Sequence, residues 1–393
     1  DHEIWSVAIG SADAAAGSTE GTSVAGTVVI NFVDNRTDAR IVDVEIDADD
    51  SDVGGAVGDV ELVAASRVDA TGVAIAGAAH DDSSYDAAIA LTFLWSNATA
   101  FVGGNHDLAV DGALKLDADG EVDTVTFGDA QEGQGGAGVA IEVMFLQHEA
   151  FLDADSAISA GSLAVSADTD VDTMALAKAN AGGATGNNDI NGQNRGPNDS
   201  SRAGFNADPS QPRADTSAGD SGGELNIGAA IAFTYLESDT EAYVADDDVT
   251  IDGLATVHAG AATDVHTEAD ASAVVDGPGT EDDTAVGIAI AISVVPVTTW
   301  AHLDDELTAG DVTVETTAPS SSDLVVRSVS GAGGGETGFA GAFSLLVLTH
   351  ESTAELSTGS TTTLTSSDVA ISAAGDTNST VQALPDGDGG VGE

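Results

Sequence analysis

Cysteine is absent from the 393 residues, so no disulfide framework and no thiolate metal site can hold this chain together. Basic residues are nearly absent as well. Nine Lys and Arg stand against 67 Asp and Glu, for a formal net charge of −58. So few cations cannot build a phosphate-tracking stripe, which excludes nucleic acid as a partner. Proline numbers 7, and three of these fall in one polar segment. The eight His are scattered without ligand spacing, so no cofactor and no histidine metal site is expected. Long apolar runs are missing with one exception, Ala285–Leu303, which carries no Asp, Glu, Lys or Arg. Pro296 and the alternation of Ile with Ala make that stretch a strand rather than a membrane span.

What is abundant is negative charge on a chain that is 42% hydrophobic. Disorder requires low hydrophobicity together with high charge, so a folded protein is expected. Self-repulsion on this scale destabilises a compact fold at low ionic strength. At about 1 M salt screening shortens to roughly 3 Å, which removes most of the penalty. The composition therefore points to a protein that works in brine, with cations and basic surfaces as its favoured electrostatic partners.

A short phrase recurs: DARI, NATAFV, QHEAFL, DTEAYV, TWAHL. Aligning on its alanine gives six anchors, Ala39, Ala100, Ala150, Ala242, Ala301 and Ala354, with spacings of 61, 50, 92, 59 and 53. An apolar, β-rich run precedes each anchor, as in AAIALTFLW and GIAIAISVV. A second strand signal follows most of them, as in GDVELVA and GDVTVET, and then a third, as in RVDATGVAIAG. Such periods mark stacked architectures whose units cannot bury an apolar face alone. The expected fold is all-β, a repetitive β-solenoid of about six repeats of ~55 residues; tandem β-sandwich-like modules are the alternative. The boundaries read as the end of a preceding repeat (1–18), then repeats over 19–80, 81–133, 134–183, 220–279, 280–334 and 335–393. The chain starts without Met or a signal peptide and begins and ends at the same phase, as an excerpt from a longer array does. Runs such as GVAIAGAA and GIAIAIS are apolar on both sides and predict strands covered on both faces, with close backbone approach on the Ala side.

The long spacing contains an insertion over 184–219 with three of the seven arginines, Arg195, Arg202 and Arg213, and Phe205 as its one aromatic. It reads as a polar loop or projecting arm, and these four residues are its contact candidates.

The pattern of VDNRTDARI (33–41) followed by GDVELVA (58–64), and again SDTEAYV (238–244), resembles the repeats of large filamentous adhesins of the haemagglutinin and leukotoxin type. Together with the acidity it is similar to giant halomucin-like surface proteins of haloarchaea. The resemblance covers nearly the whole chain through short motifs. It implies a long extracellular β protein at the cell surface, structural or adhesive, whose partners are further repeats or copies of itself, with surface glycan as a further candidate. It carries over no catalytic residue.

Chemistry-bearing motifs are few. GDSGG (219–223) with His80, Asp107 and Ser221 imitates a serine-protease triad, but GDSGG occupies the junction where other repeats have EGQGG or GGGETG. No enzyme is expected. The acidic turns offer weak cation or calcium sites at Asp47, Asp49, Asp50, Asp246, Asp247 and Asp248, without EF-hand spacing. Sequons at Asn35, Asn97, Asn198 and Asn378 are glycosylation candidates. Trp5, Trp95 and Trp300 lie at strand ends and suit rim packing better than a sugar platform.

Overall fold

A computed structural model of the chain describes residues 2–13, 22–43, 58–79, 84–104, 108–131, 134–154, 157–181, 225–246, 248–274, 284–317, 322–333, 337–357, 360–365 and 368–385. Every regular element among them is a strand. The front sheet holds β2 (Ser23–Val42), β4 (Ser84–Gly104), β6 (Gly135–Ala154), β8 (Leu225–Val244), β11 (Thr284–Leu303) and β15 (Thr337–Leu356), neighbours in that order. The back sheet begins with β1 (His2–Asp13), β3 (Val60–Ala79), β5 (Leu108–Gln131), β7 (Ile158–Ala181) and β10 (Leu254–Val274). It continues with β13 (Asp311–Thr317) and β14 (Ser322–Gly333), then β17 (Val369–Ala373) and β18 (Thr377–Pro385). The short strands β9 (Val249–Ile251), β12 (Glu306–Ala309) and β16 (Thr361–Leu364) extend it beside β7. Every pairing is parallel, and the chain visits the two sheets in turn. This is a two-sheet β-solenoid. Tandem sandwich modules would pair antiparallel within each module and are excluded.

The six anchor alanines form one row across the front sheet, each paired in register with the next. Apolar run and anchor phrase are thus one strand of about 20 residues. The expectation of three strands per repeat is corrected on the back sheet. GDVELVA and RVDATGVAIAG fuse into β3, and β5 and β7 are likewise continuous. The separation survives in later coils, where Gly253 and Gly310 divide β9 from β10 and β12 from β13. The Gly310 N–H donates to the Gly253 carbonyl at 2.8 Å and Gly253 to Gly161 at 2.9 Å, a column of glycines that turns the sheet.

Alternation assigns side chains to the inside or the outside. At one end the interior is thick, with Leu114, Leu116, Leu163 and Val257 of the back sheet against Leu152, Val244 and Leu303 of the front. At the other end it is thin, with Ala140, Ala230 and Ala289 against Ala175, Ala177 and Ala269. The sheets come so close there that a Cβ on Gly128, Gly138, Gly228 or Gly287 would strike a carbonyl of the opposite sheet. The close approach expected on the Ala side is present. The cover expected over the Ile side of GIAIAIS is not: Ile288 is 45% exposed, and Ile290 and Ile292 face outward beside it. The uncharged stretch 285–303 lies in β11, and no helix among the described residues is long and apolar enough to cross a membrane.

Hydroxyl layers divide the apolar ones. Thr92 meets Thr126 at 2.6 Å, Thr124 meets Thr173 at 2.6 Å, and Ser293 donates to Thr267 at 2.7 Å, all between or along the sheets. In a second layer His148 Nδ1 lies 2.6 Å from the Thr169 hydroxyl, which lies 2.7 Å from Thr240. The row of His148 holds Ala98 and Thr240 in the adjacent strands, and the imidazole fits because Gly120 faces it with no side chain.

A Cβ at Gly120 would fall inside the His148 ring. Gly120→Ala is therefore expected to cost about 1–3 kcal/mol by overpacking. In a His148→Thr background most of that cost should vanish, giving a coupling of about 1 kcal/mol or more in a double-mutant cycle. Chemical denaturation in molar salt checks this, and additive costs would show that the two sites are independent.

Candidate functional site

The outward face of the back sheet is a grid of carboxylates. On β5, Asp117, Asp119, Glu121 and Asp123 alternate along one face, and on β7 they lie beside Ser166, Asp168, Asp170 and Asp172. One row runs Asp69, Asp123, Asp172, Asp264 across four strands. Asp323 continues it, with its N–H donating to Asp264 Oδ1 at 2.9 Å. Neighbours in such a row are about 4.8 Å apart, so repulsion is built in. Burial, then Asp264 and Asp170, push the Asp172 carboxyl up to about 6, with His266 opposing. Asp119 and Asp170 are raised for the same reasons, burial first and neighbouring carboxylates next.

Cations relieve this only locally. Lys115 reaches Asp117 at 2.7 Å and Glu61 at 3.2 Å, and Arg67 reaches Glu121 at 2.9 Å. His258 bridges Asp168 at 3.2 Å and Glu315 at 3.5 Å, and the Asp168 hydrogen bond raises its pKa against desolvation. Deeper on the same sheet, Glu268 lies beside Arg327 in register, with Oε1 3.6 Å from Nη1, and both are buried. Burial pushes the Glu268 carboxyl up, but His266 at 3.0 Å, Arg327 and Lys178 together hold it below the usual carboxylate range. The Lys178 ammonium also sits 5.8 Å from the centre of the Phe127 ring.

The sequence-predicted cation sites fare differently. Asp47, Asp49, Asp50 and Asp247 lie outside the described residues. Asp246 is buried in the link from β8 to β9, and its Oδ1 accepts the Asp248 N–H at 3.1 Å, a turn-closing role. No group of three His, Asp or Glu among the described residues has metal-site geometry. The carboxylates that do assemble belong to LDADGEVD and VSADTDVD, whose period of two was the legible signal. Aspartates of the G-D-V motif have a structural task. Asp59 Oδ1 accepts the Ala113 N–H at 2.9 Å, and Asp311 Oδ1 accepts the Asp368 N–H at 3.2 Å, each clasping the next coil.

On the front sheet, a groove of about 420 Å³ is lined by Trp95, Phe145, Asn97, Gln147, Glu237 and Asp239 among others. Its aromatics form a ladder, Phe32 to Trp95 at 4.9 Å, Trp95 to Phe145 at 5.7 Å and Phe145 to Tyr235 at 5.5 Å between ring centres. Ring faces already engaged along the ladder are not free to stack on a sugar, and the strand-end placement expected for Trp95 is corrected, since it lies mid-strand in β4. Asn35 corrects the sequon expectation. It is buried with its Nδ2 donating to Ser66 at 2.8 Å, which leaves no room for a glycan in the folded coil. Asn97 points outward, its Oδ1 accepting from Thr99 at 2.9 Å, and Asn378 is exposed on β18. Asn198, Arg195, Arg202, Arg213, Phe205, His80, Asp107 and Ser221 lie outside the described residues.

Two ionisable groups of β6 are sealed between the sheets. Glu142, accepting from Thr173, is pushed up to about 7 by burial, with Thr173, Thr126 and Thr124 opposing. His148 is pushed down to about 4 by burial. Both lie on β6, six residues apart and so about 20 Å from each other, too far to act as an acid–base pair.

Their linkages have opposite signs. A glutamate with a raised folded pKa contributes a penalty that grows as pH rises from 4.5 to about 7. A histidine with a lowered folded pKa contributes a penalty that grows as pH falls from 6.5 to about 4. Each spans about 3 kcal/mol, and between pH 4.5 and 6.5 their opposite slopes nearly cancel, leaving a summed penalty that is almost independent of pH. Glu142→Gln relative to the parent should therefore gain stability progressively from pH 4.5 to about 7; a pH-independent difference in denaturation would refute the assignment. Separately, Asp172→Asn should raise Tm in dilute salt, with the gain shrinking in molar salt as screening replaces it. An equal gain at every ionic strength would mean that repulsion is not its cause.

No protein-family model, curated protein or solved structure matches this chain.

Proposed function

We propose that this chain is a segment of an extracellular structural filament or adhesin of a halophilic microbe, a scaffold that makes surface contacts without catalysis. The observation that carries this reading is the parallel ladder of the front sheet, whose register is kept across the gap at Pro296. Its strands superpose in register from β2 to β15, and each of these two pairs on one side only among the described residues. Such an assembly grows by adding coils, about 4.8 Å at a time, against open edges. Further repeats or further copies of the chain are the natural partners at those edges. The carboxylate exterior keeps the array hydrated in brine, and the net charge of −58 keeps it from collapsing onto like surfaces.

A second reading, a surface module that binds calcium or glycan, draws its support from the carboxylate rows of β5, β7 and β10. Closely spaced carboxylates with raised pKa values take up cations readily, and divalent ions neutralise two at once.

Electron microscopy of the purified chain in molar salt, with and without a chelator, tests the first reading. The expected result is ribbons about 70 Å across, the length of a 20-residue strand plus its turns. Short isolated rods under every condition would remove the filament reading. A rise in Tm with calcium at constant ionic strength, not reproduced by magnesium, would favour the second.

A further inference from the structure

The outward face of the front sheet divides in two. Toward the strand ends it is acidic, with Glu237, Asp239, Glu149 and Glu241 in neighbouring strands. Toward the strand starts, five successive outward rows across all six strands hold no Asp, Glu, Lys or Arg. Large side chains stand in the open there: Phe32 is 69% exposed, Ile231 41% and Phe343 51%. Eight residue steps by five strand spacings cover roughly 26 by 24 Å, or about 600–800 Å² with the rims. Isolated apolar residues on a surface are ordinary, but a contiguous patch of this size marks an interaction site. It also matches the ~800 Å² that each partner of a stable complex contributes.

We infer that this apolar half-face packs against the same half-face of a second copy, about a twofold axis parallel to the stacking direction of the coils. Two observations select this occupant and this axis. The first is shape. The middle row contains Ile89, Val139 and Ile231. The row before it is small, and the row after it is large. A twofold along the middle row sets Ala87 over Leu91, Ala137 over Ile141 and Ala229 over Phe233 of the partner, a bump into a hollow in each case. The same holds for β2 and β15, with Gly26 over Ile30 and Gly341 over Leu345. β11 departs, where Ile288 meets Ile292, and in the outermost rows large side chains meet, Tyr85 over Phe93 and Phe339 over Val347.

The second is charge. Rotation about this axis reverses strand direction, so the acidic halves of the two faces project on opposite sides. A twofold along the strands, between β6 and β8, would instead lay Glu149 against Glu241 of the other copy and ridge against ridge. Like charges juxtaposed in this way cost several kcal/mol. The chosen arrangement keeps the coils of both copies stacking in the same sense, so paired ribbons can lengthen together.

Sedimentation equilibrium of the full chain in molar salt tests this, with far-UV circular dichroism and melting as fold controls. At micromolar concentration, below the onset of edge-to-edge ribbon growth, the parent chain is expected to be a dimer. Phe233→Asp should weaken it about a hundredfold or more by burying an unpaired carboxylate. Ala229→Phe keeps the face apolar but puts bulk over bulk, and it should also weaken the dimer at least about tenfold. In the cysteine-free background, Val139→Cys should cross-link with a short bis-maleimide and Glu149→Cys should not. A monomeric parent chain overturns the proposal. If that monomer floats with phospholipid vesicles and Ala229→Phe floats equally well, the face is a lipid surface instead. A dimer that ignores Ala229→Phe, or that cross-links through Glu149→Cys, overturns the axis.

Discussion

Backbone hydrogen bonds that run along the stacking axis force each residue to lie beside its counterpart in the next coil, and the rest of this structure depends on that superposition. Register drifts at one place in these ladders, the bulge between Val110 and Ala113 of β5, and is kept across the front sheet. The pairing of Ala39, Ala100, Ala150, Ala242, Ala301 and Ala354 is therefore a consequence of geometry, since any change of size in one member of the row would be felt by its neighbours. The one large intruder, His148, is accommodated by a glycine in the facing strand rather than by a shift of register. Chemistry repeats with the rows: leucine beside leucine at the thick end, alanine beside alanine at the thin end, threonine beside threonine between them.

The same superposition makes carboxylates repel. Asp69, Asp123, Asp172 and Asp264 stand in line because their strands do, at a spacing where one ionised group raises the pKa of the next. In dilute solution such rows oppose folding; in brine the Debye length falls below the row spacing and they become a hydrated coat. Scattered partners such as Lys115 and Arg67 are too few to change this balance, and exposed pairs of their kind contribute little each. The apolar half of the front sheet is the complement of that coat. It is free of charge on a chain dominated by charge, and an uncharged region is where two polyanions can touch without penalty.

Much of the fold was legible in the residues. The anchor phrase located the register of six strands, because identical backbone environments in stacked coils ask for similar side chains. The period of two in DVTVET assigned its inner and outer faces, and the alternation in GIAIAIS placed alanine where the sheets meet. The fusion of two strand signals into β3 was not legible, since ASRV between them carries no strong break, while Gly253 and Gly310 do break later coils. The sequon at Asn35 read like the one at Asn97. One residue of offset within the row pattern turns the first into the core and the second outward.

The candidate sites were legible only in part. Clustered aspartates in turns drew attention by adjacency, yet the carboxylates that assemble are spaced two apart on β5 and β7 and become neighbours only through pairing with residues about 50 positions away. Composition and periodicity by themselves determined an all-β, stacked, strongly acidic chain, because hydrophobic alternation and net charge are properties of the sequence. Which outward rows became acidic and which remained bare and apolar was decided by tertiary structure. A sheet has two faces, and only the placement of the opposing sheet fixes which of them meets water.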